Sequence, residues 1–197
     1  MQMGVLDKLI MYWDEETMVQ SPNFAAVWDE VADKEWYNLV TPDDATSTVW
    51  TAFSNSRRYN GLYTMTAWIG GSAAETMETQ ERASNEASIV EEVVANLRTM
   101  FATDVVSPTK YMLTDWWSDP YSRGSYSYKS VGADYTKLAK QLARSIDNTL
   151  FFAGEHTNAN GWGGTATGAY DTGETMGSAM SKALSGDFLV AVSYEMS

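Results

Sequence analysis

The residues best suited to chemistry lie between Phe151 and Gly177. An apolar run, Thr149 to Ala153, leads into Gly154-Glu155-His156-Thr157 and then a loop carrying Gly161, Gly163 and Gly164. A helix from Thr165 to Leu184 follows. Glycines between a strand and a helix let the backbone approach a ligand closely. The helix start offers N–H groups without intrahelical partners and the positive end of a dipole, which suits an anion or an electron-rich oxygen. Glu155, at the end of the run, can accept hydrogen bonds from sugar hydroxyls. The helix holds Gly168, Gly173 and Gly177, each unfavourable by roughly 1 kcal/mol against alanine in a helix interior. Ala169, Gly173 and Gly177 recur every fourth residue, a smooth stripe that suits packing on a sheet or beside a flat ligand.

A second stretch, Trp116-Trp117-Ser118-Asp119-Pro120 through Gly124-Ser125-Tyr126-Ser127-Tyr128, is dense in aromatic rings. Asp119-Pro120 favours a turn, and Tyr126 and Tyr128 share one face of a strand. Taken alone, this density fits either an aromatic core edge or a ligand cage. The lone histidine, His156, reads as a structural hydrogen-bonder rather than a proton-transfer group.

The elements that must position these residues follow from patterning. Val5 to Trp13 reads as a strand. Thr17 to Asn23 reads as a loop. Val27–Val31, Trp36–Val40, Val49–Ser54 and Leu62–Trp68 read as strands of a mixed or antiparallel sheet, separated by turn signals such as Asn60-Gly61. A short helix at Ala73–Glu78 precedes a longer one at Glu86–Phe101, whose Val90, Val93, Val94, Leu97 and Phe101 share one face, with Ser84 or Asn85 as N-cap. Lys110–Trp116 reads as a strand, Thr136–Ile146 as a helix and Thr149–Ala153 as a short buried strand. Phe188–Val192 is a strand-like run in the tail.

Composition removes several function classes. With Lys plus Arg 13 against Asp plus Glu 26, the net charge is −13, which disfavours nucleic-acid backbones and anionic membranes. It is compatible with a cationic substrate. The absence of cysteine excludes disulfides, thiolate chemistry and a thioether link to a cofactor, and one histidine excludes a multi-histidine metal site. No apolar run reaches transmembrane length, and Asp7 and Lys8 interrupt the N-terminal apolar stretch, unlike a signal peptide. Localisation stays open.

In order and spacing, the two stretches resemble the C-terminal signature of the flavin-containing amine oxidases, a family that includes polyamine oxidases, monoamine oxidases and lysine-specific histone demethylases. Matching residues are Trp116 to Pro120, Gly124 to Tyr128, Leu150 to Thr157, and Gly164 to Ala169 with Gly173. Met3 to Leu9 resembles an interior Gly-x-x-x-Lys strand of that family. The resemblance implies noncovalent FAD, because Ser125 falls where monoamine oxidases carry the flavin-bonding cysteine. It places Trp116 by the isoalloxazine and Gly154 and Glu155 at the ribitol or pyrophosphate. Gly164, Thr165 and Ala166 would present backbone amides to the pyrimidine edge. Tyr126 would flank the substrate amine. Thr165 falls where monoamine oxidases carry a second aromatic, which points to the polyamine oxidase or demethylase branch.

The implied fold is α/β (α+β): a mixed-sheet substrate domain over residues 1–108, the C-terminal part of an FAD-binding, Rossmann-like domain over 109–185, and a tail over 186–197. The N-terminal dinucleotide-binding βαβ unit, with its Gly-x-Gly-x-x-Gly turn, is absent from the sequence. The implied reaction is amine oxidation with O2 as final acceptor. The partners implied are a small-molecule amine, O2 and a missing N-terminal half, without nucleic acid or membrane. Two other readings stay open: a binding module that keeps the fold without turnover, and a related flavoenzyme with a non-amine substrate.

Overall fold

The computed structural model describes residues 1–31, 36–38, 51–79 and 82–185. The chain forms two compact units, one of Val5–Ser125 and one that joins Met1–Gly4 to the chain from Tyr126 onward.

The first unit is built on strand β2, Leu6–Trp13, where alternate residues are buried. Asp7, Leu9, Met11 and Trp13 point to one face and are fully buried, as a period of two requires. β2 pairs antiparallel with β5, Tyr63–Gly70, on one side and with β6, Lys110–Leu113, on the other. β3, Trp36–Asn38, and β4, Thr51–Asn55, extend the sheet in the order β3-β4-β5-β2-β6. All of these pairings are antiparallel. Because β6 belongs to this sheet, the first compact unit runs on to Ser125.

Two expectations fail between Thr17 and Val31. The loop is helix α1, Glu15–Gln20, capped by Asp14, whose carboxylate accepts the Thr17 N–H at 2.8 Å. The strand expected at Val27–Val31 lies in helix α2, Pro22–Val31. Proline suits a first helical position, and Phe24, Val27 and Trp28 then bury one helical face. Trp13 meets Phe24 and Trp28 edge-on at 5.3 and 6.0 Å, and Trp28 meets Tyr63 at 5.6 Å. After the single-turn helix α3, Arg57–Asn60, and β5 come α4, Ser72–Thr79, and α5, Arg82–Phe101. Helix α5 starts ahead of Ser84 and Asn85, so neither is its N-cap. Its Val90, Val93, Val94 and Leu97 are buried, and Phe101 is half-buried.

In the second unit β1, Gln2–Gly4, pairs antiparallel with β7, Tyr126–Tyr128. Helix α6, Tyr135–Leu142, a 3₁₀ turn at Glu155–Thr157 and helix α7, Ala166–Leu184, follow. The short buried strand expected at Thr149–Ala153 does not form. Asp147 and Asn148 have φ of 48° and 52° and turn the chain so that Ile146 bridges Leu150. Phe151–Ala153 then has no strand partner among the described residues, and Leu150 and Phe152 are exposed. The run Phe188–Val192 lies outside the described residues.

Candidate functional site

Glu155 organises the second unit's glycine-rich segment. Its carboxylate accepts the Ser127 N–H at 2.9 Å and the Ser127 hydroxyl at 2.8 Å, both from β7, and the Gly164 N–H at 2.7 Å. The Tyr135 hydroxyl, on α6, donates to the Glu155 carbonyl at 3.3 Å. The Glu155 side chain therefore ties β7 to the loop before α7, and its backbone carbonyl holds α6. Gly154, at φ 144°, allows this path. Its N–H donates to the Thr172 hydroxyl on α7 at 3.0 Å, and a Cβ there would lie 2.6 Å from the His156 ring. His156 is thus placed by packing against Gly154.

The start of α7 is held from within. Thr165 is its N-cap, accepting the Gly168 N–H at 3.0 Å and donating to the Trp162 carbonyl at 2.7 Å. Asn158, almost fully buried, accepts the N–H groups of Asn160 and Trp162 and donates to Asp171 on α7 at 2.9 Å. Helix geometry leaves the N–H groups of Ala166 and Thr167 without an acceptor in the helix, and both residues are exposed. No side chain fills the space beside Gly164, which has φ 76° and nothing within 4 Å of a Cβ built on it. Positive dipole and free donors make this an unplugged helix mouth able to receive an electron-rich oxygen. Thr165→Ala should lower stability by about 1 kcal/mol, with Thr165→Ser near wild type in a chemical denaturation curve.

Tyr126, at the start of β7, faces Gly4 across the strand pair; a Cβ on Gly4 would sit 2.6 Å from its ring. A shallow hollow lined by Ala143, Asn158, Asp171, Thr175 and Met176 includes none of Tyr126, Glu155, Gly164 or Ala166.

In the first unit Ser125 is occupied by its own backbone neighbours: its hydroxyl accepts the Leu6 N–H at 2.9 Å and donates to the Leu6 carbonyl at 2.7 Å. Trp116 keeps a partly exposed side chain, while its N–H donates to Asp7 Oδ1 at 3.2 Å. The expected residues thus fall into two groups. Tyr126, Gly154, Glu155, Gly164, Thr165 and Ala166 belong to the second unit, and Trp116 and Ser125 to the first.

Sequence reasoning missed two buried carboxyls in the first unit. Asp7 is fully buried on β2, and Glu78 lies nearly buried at the end of α4. Burial, then the neighbouring Glu78, push Asp7 up to about 7. Burial also opposes ionisation of Glu78, but hydrogen bonds from Asp7, Ser118 and the Trp117 backbone hold it below the ordinary range. The only local signal was an aspartate among apolar residues on the buried face of β2. Among the described residues no cluster of three or more His, Cys, Asp or Glu could hold a metal ion. No described helix is long and apolar enough to cross a membrane.

Residues 1–177 match the family model described as flavin containing amine oxidoreductase. Lysine-specific histone demethylase 1 homolog 3 of Arabidopsis thaliana is 31% identical over 160 residues, covering 78% of this chain and 8% of that protein. Polyamine oxidase 2 of the same plant is 44% identical over 70 residues, covering 36% and 14%. Cyclohexylamine oxidase from Brevibacterium oxydans shares the fold, with a TM-score of 0.64 at 18% identity over 92% of this chain and 36% of that one. The chain therefore spans only a small part of the curated relatives it matches.

Proposed function

This chain belongs to the flavin-containing amine oxidoreductase family, and from that premise we propose that it supplies the C-terminal part of an FAD-dependent oxidase of the polyamine oxidase type. The observation that carries the reading is the open helix mouth at Thr165–Thr167, with its loop fixed by Glu155. The residues fit the flavin's electron-rich pyrimidine edge: exposed N–H donors, a helix dipole and no side chain beside Gly164. Ala166 and Thr167 would donate to that edge, and Thr165 would hold the turn that aims them. Glu155, through the ties already described, would fix the loop near the ribitol or pyrophosphate. Trp116 would pack by the ring system and Tyr126 would flank the amine.

Bound FAD would accept a hydride equivalent from the carbon next to nitrogen, pass electrons to O2 to give H2O2, and leave an imine to hydrolyse. With no cysteine in the chain, FAD would be held noncovalently. The dinucleotide-binding half would be the partner segment that completes the cofactor site. A net charge of −13 suits a polycationic amine, and Thr165 in place of a second aromatic favours a long, flexible amine over a small one caged between rings.

The test is peroxide release from flavin-loaded protein containing this chain, offered spermine, a small monoamine and an Nε-methyllysine peptide. Spermine is expected to be turned over fastest. Failure to retain flavin would defeat the reading, and preference for the methylated peptide would move it to demethylase chemistry.

A further inference from the structure

The loop that carries Trp116 is held by carboxylates rather than by a strand. Strand β6 ends at Leu113, and the next groups, Thr114, Trp116, Trp117 and Ser118, are tied in sequence. The Thr114 hydroxyl donates to Asp7 Oδ1 at 2.9 Å, and the Trp116 N–H to the same oxygen at 3.2 Å. The Trp117 N–H donates to Glu78 Oε1 at 2.9 Å and the Ser118 N–H to Glu78 Oε2 at 2.5 Å. Three successive amides are thus taken up by two side chains 71 residues apart in sequence (78 − 7). Asp7 Oδ2 is buried and receives no donor, and Glu78 takes the two amides that follow the one Asp7 holds. A buried carboxylate oxygen without a donor is costly, whereas a protonated one can donate to the neighbouring carboxylate.

We propose that Asp7 and Glu78 share a single proton and act as one positioning clamp for the Trp116–Ser118 segment. The proton sits on Asp7 Oδ2 and points to Glu78, which stays ionised and takes the two amides. The charged groups on the packed elements leave this arrangement alone. Lys8, next on β2, points to the other face and lies 4.4 Å from the Trp68 ring centre. Lys110 of β6 acts on Asp14. Glu75 of α4 is exposed, Arg98 of α5 is bound to the Val105 carbonyl and Glu91, and Asp115 lies in the chain between the two residues that donate to Asp7. Loss of the shared proton places two negative charges together and weakens the grip on Trp116. The inference rests on the functional reading only in making Trp116 a cofactor-facing residue.

The test is amide NMR of the full chain titrated from about pH 5 to about pH 9, a range that brackets the neutral region where a carboxyl normally carries no proton. The Trp116 amide is expected to shift in one transition near neutrality. Asp7→Asn, which mimics the protonated acid, should abolish that transition and leave the Trp117 and Ser118 amides in place. Glu78→Gln should move it down toward the ordinary carboxylate range. A pH-independent Trp116 amide in the wild type, or a transition that survives Asp7→Asn, would overturn the clamp. Flavin absorbance of protein that joins this chain to a dinucleotide-binding half separates the two ideas: the transition without flavin sinks only the functional reading, and flavin without the transition sinks only the clamp.

Discussion

Gly168→Ala should destabilise the second unit by about 2–4 kcal/mol, the range expected when an added carbon meets rigid backbone. A Cβ at this position would lie 2.1 Å from the Trp162 carbonyl oxygen and 2.8 Å from its carbon. That carbonyl cannot retreat freely. It accepts the Thr165 hydroxyl at 2.7 Å, and the Trp162 N–H is held by Asn158 at 3.2 Å. Moving it would break the cap of α7 and the anchor of the loop together. The control lies on the same helix: Gly173 and Gly177 have nothing within 4 Å of a built Cβ. Alanine there should stabilise by roughly 0.5–1 kcal/mol through helix propensity. Opposite signs for one substitution along one helix, read by thermal unfolding, would show that Gly168 is required by contact and the others are not required within this chain. Three destabilised variants, or three stabilised ones, would refute the assignment.

That contrast also shows what the residues disclosed and what they withheld. The spacing of Gly168, Gly173 and Gly177 was visible, but not that one touches backbone while two face open space, because the contact comes from Trp162 after the loop has folded back. Thr165 was read as the first residue of the helix, whereas its side chain caps it from one position outside. The helix at Pro22–Val31 was legible in principle: proline at its first position and Phe24, Val27 and Trp28 at helical spacing outweigh the short β-branched run that suggested a strand. The run at Thr149–Ala153 looked like a strand because apolar content records burial, and a strand also needs a neighbour. Asp7 had no interpretable local pattern beyond a charge on the wrong face, for its partners Thr114 and Trp116 come from 107 and 109 positions away. The residues put Glu155 at the end of an apolar run, ahead of a glycine-rich loop, yet its three bonds to Ser127 and Gly164 are what long-range folding added.

Those bonds make Glu155→Ala the second large effect. The substitution strips the acceptor from three donors at once, including the N–H of buried Ser127. Leaving a buried donor unpaired costs about 1–3 kcal/mol, and bonds to a charged acceptor lie at the upper end. A loss of about 2–4 kcal/mol is expected on that scale. Glu155→Gln keeps one acceptor oxygen but turns an NH2 group toward a donor, so it should fall between wild type and alanine. Ser127→Ala separates the parts: it removes the hydroxyl bond and leaves the two amide bonds, for a cost of about 1 kcal/mol. The same series bears on function. If the carboxylate serves to hold Gly164 so that Ala166 and Thr167 aim outward, flavin affinity in loaded protein should fall in step with the loop's loosening. Each 1.4 kcal/mol lost at the mouth corresponds to about tenfold. A Glu155→Ala protein that unfolds earlier yet binds flavin as tightly as wild type would make this carboxylate a brace between β7 and the Gly164 loop, and would move the flavin contact elsewhere on the chain.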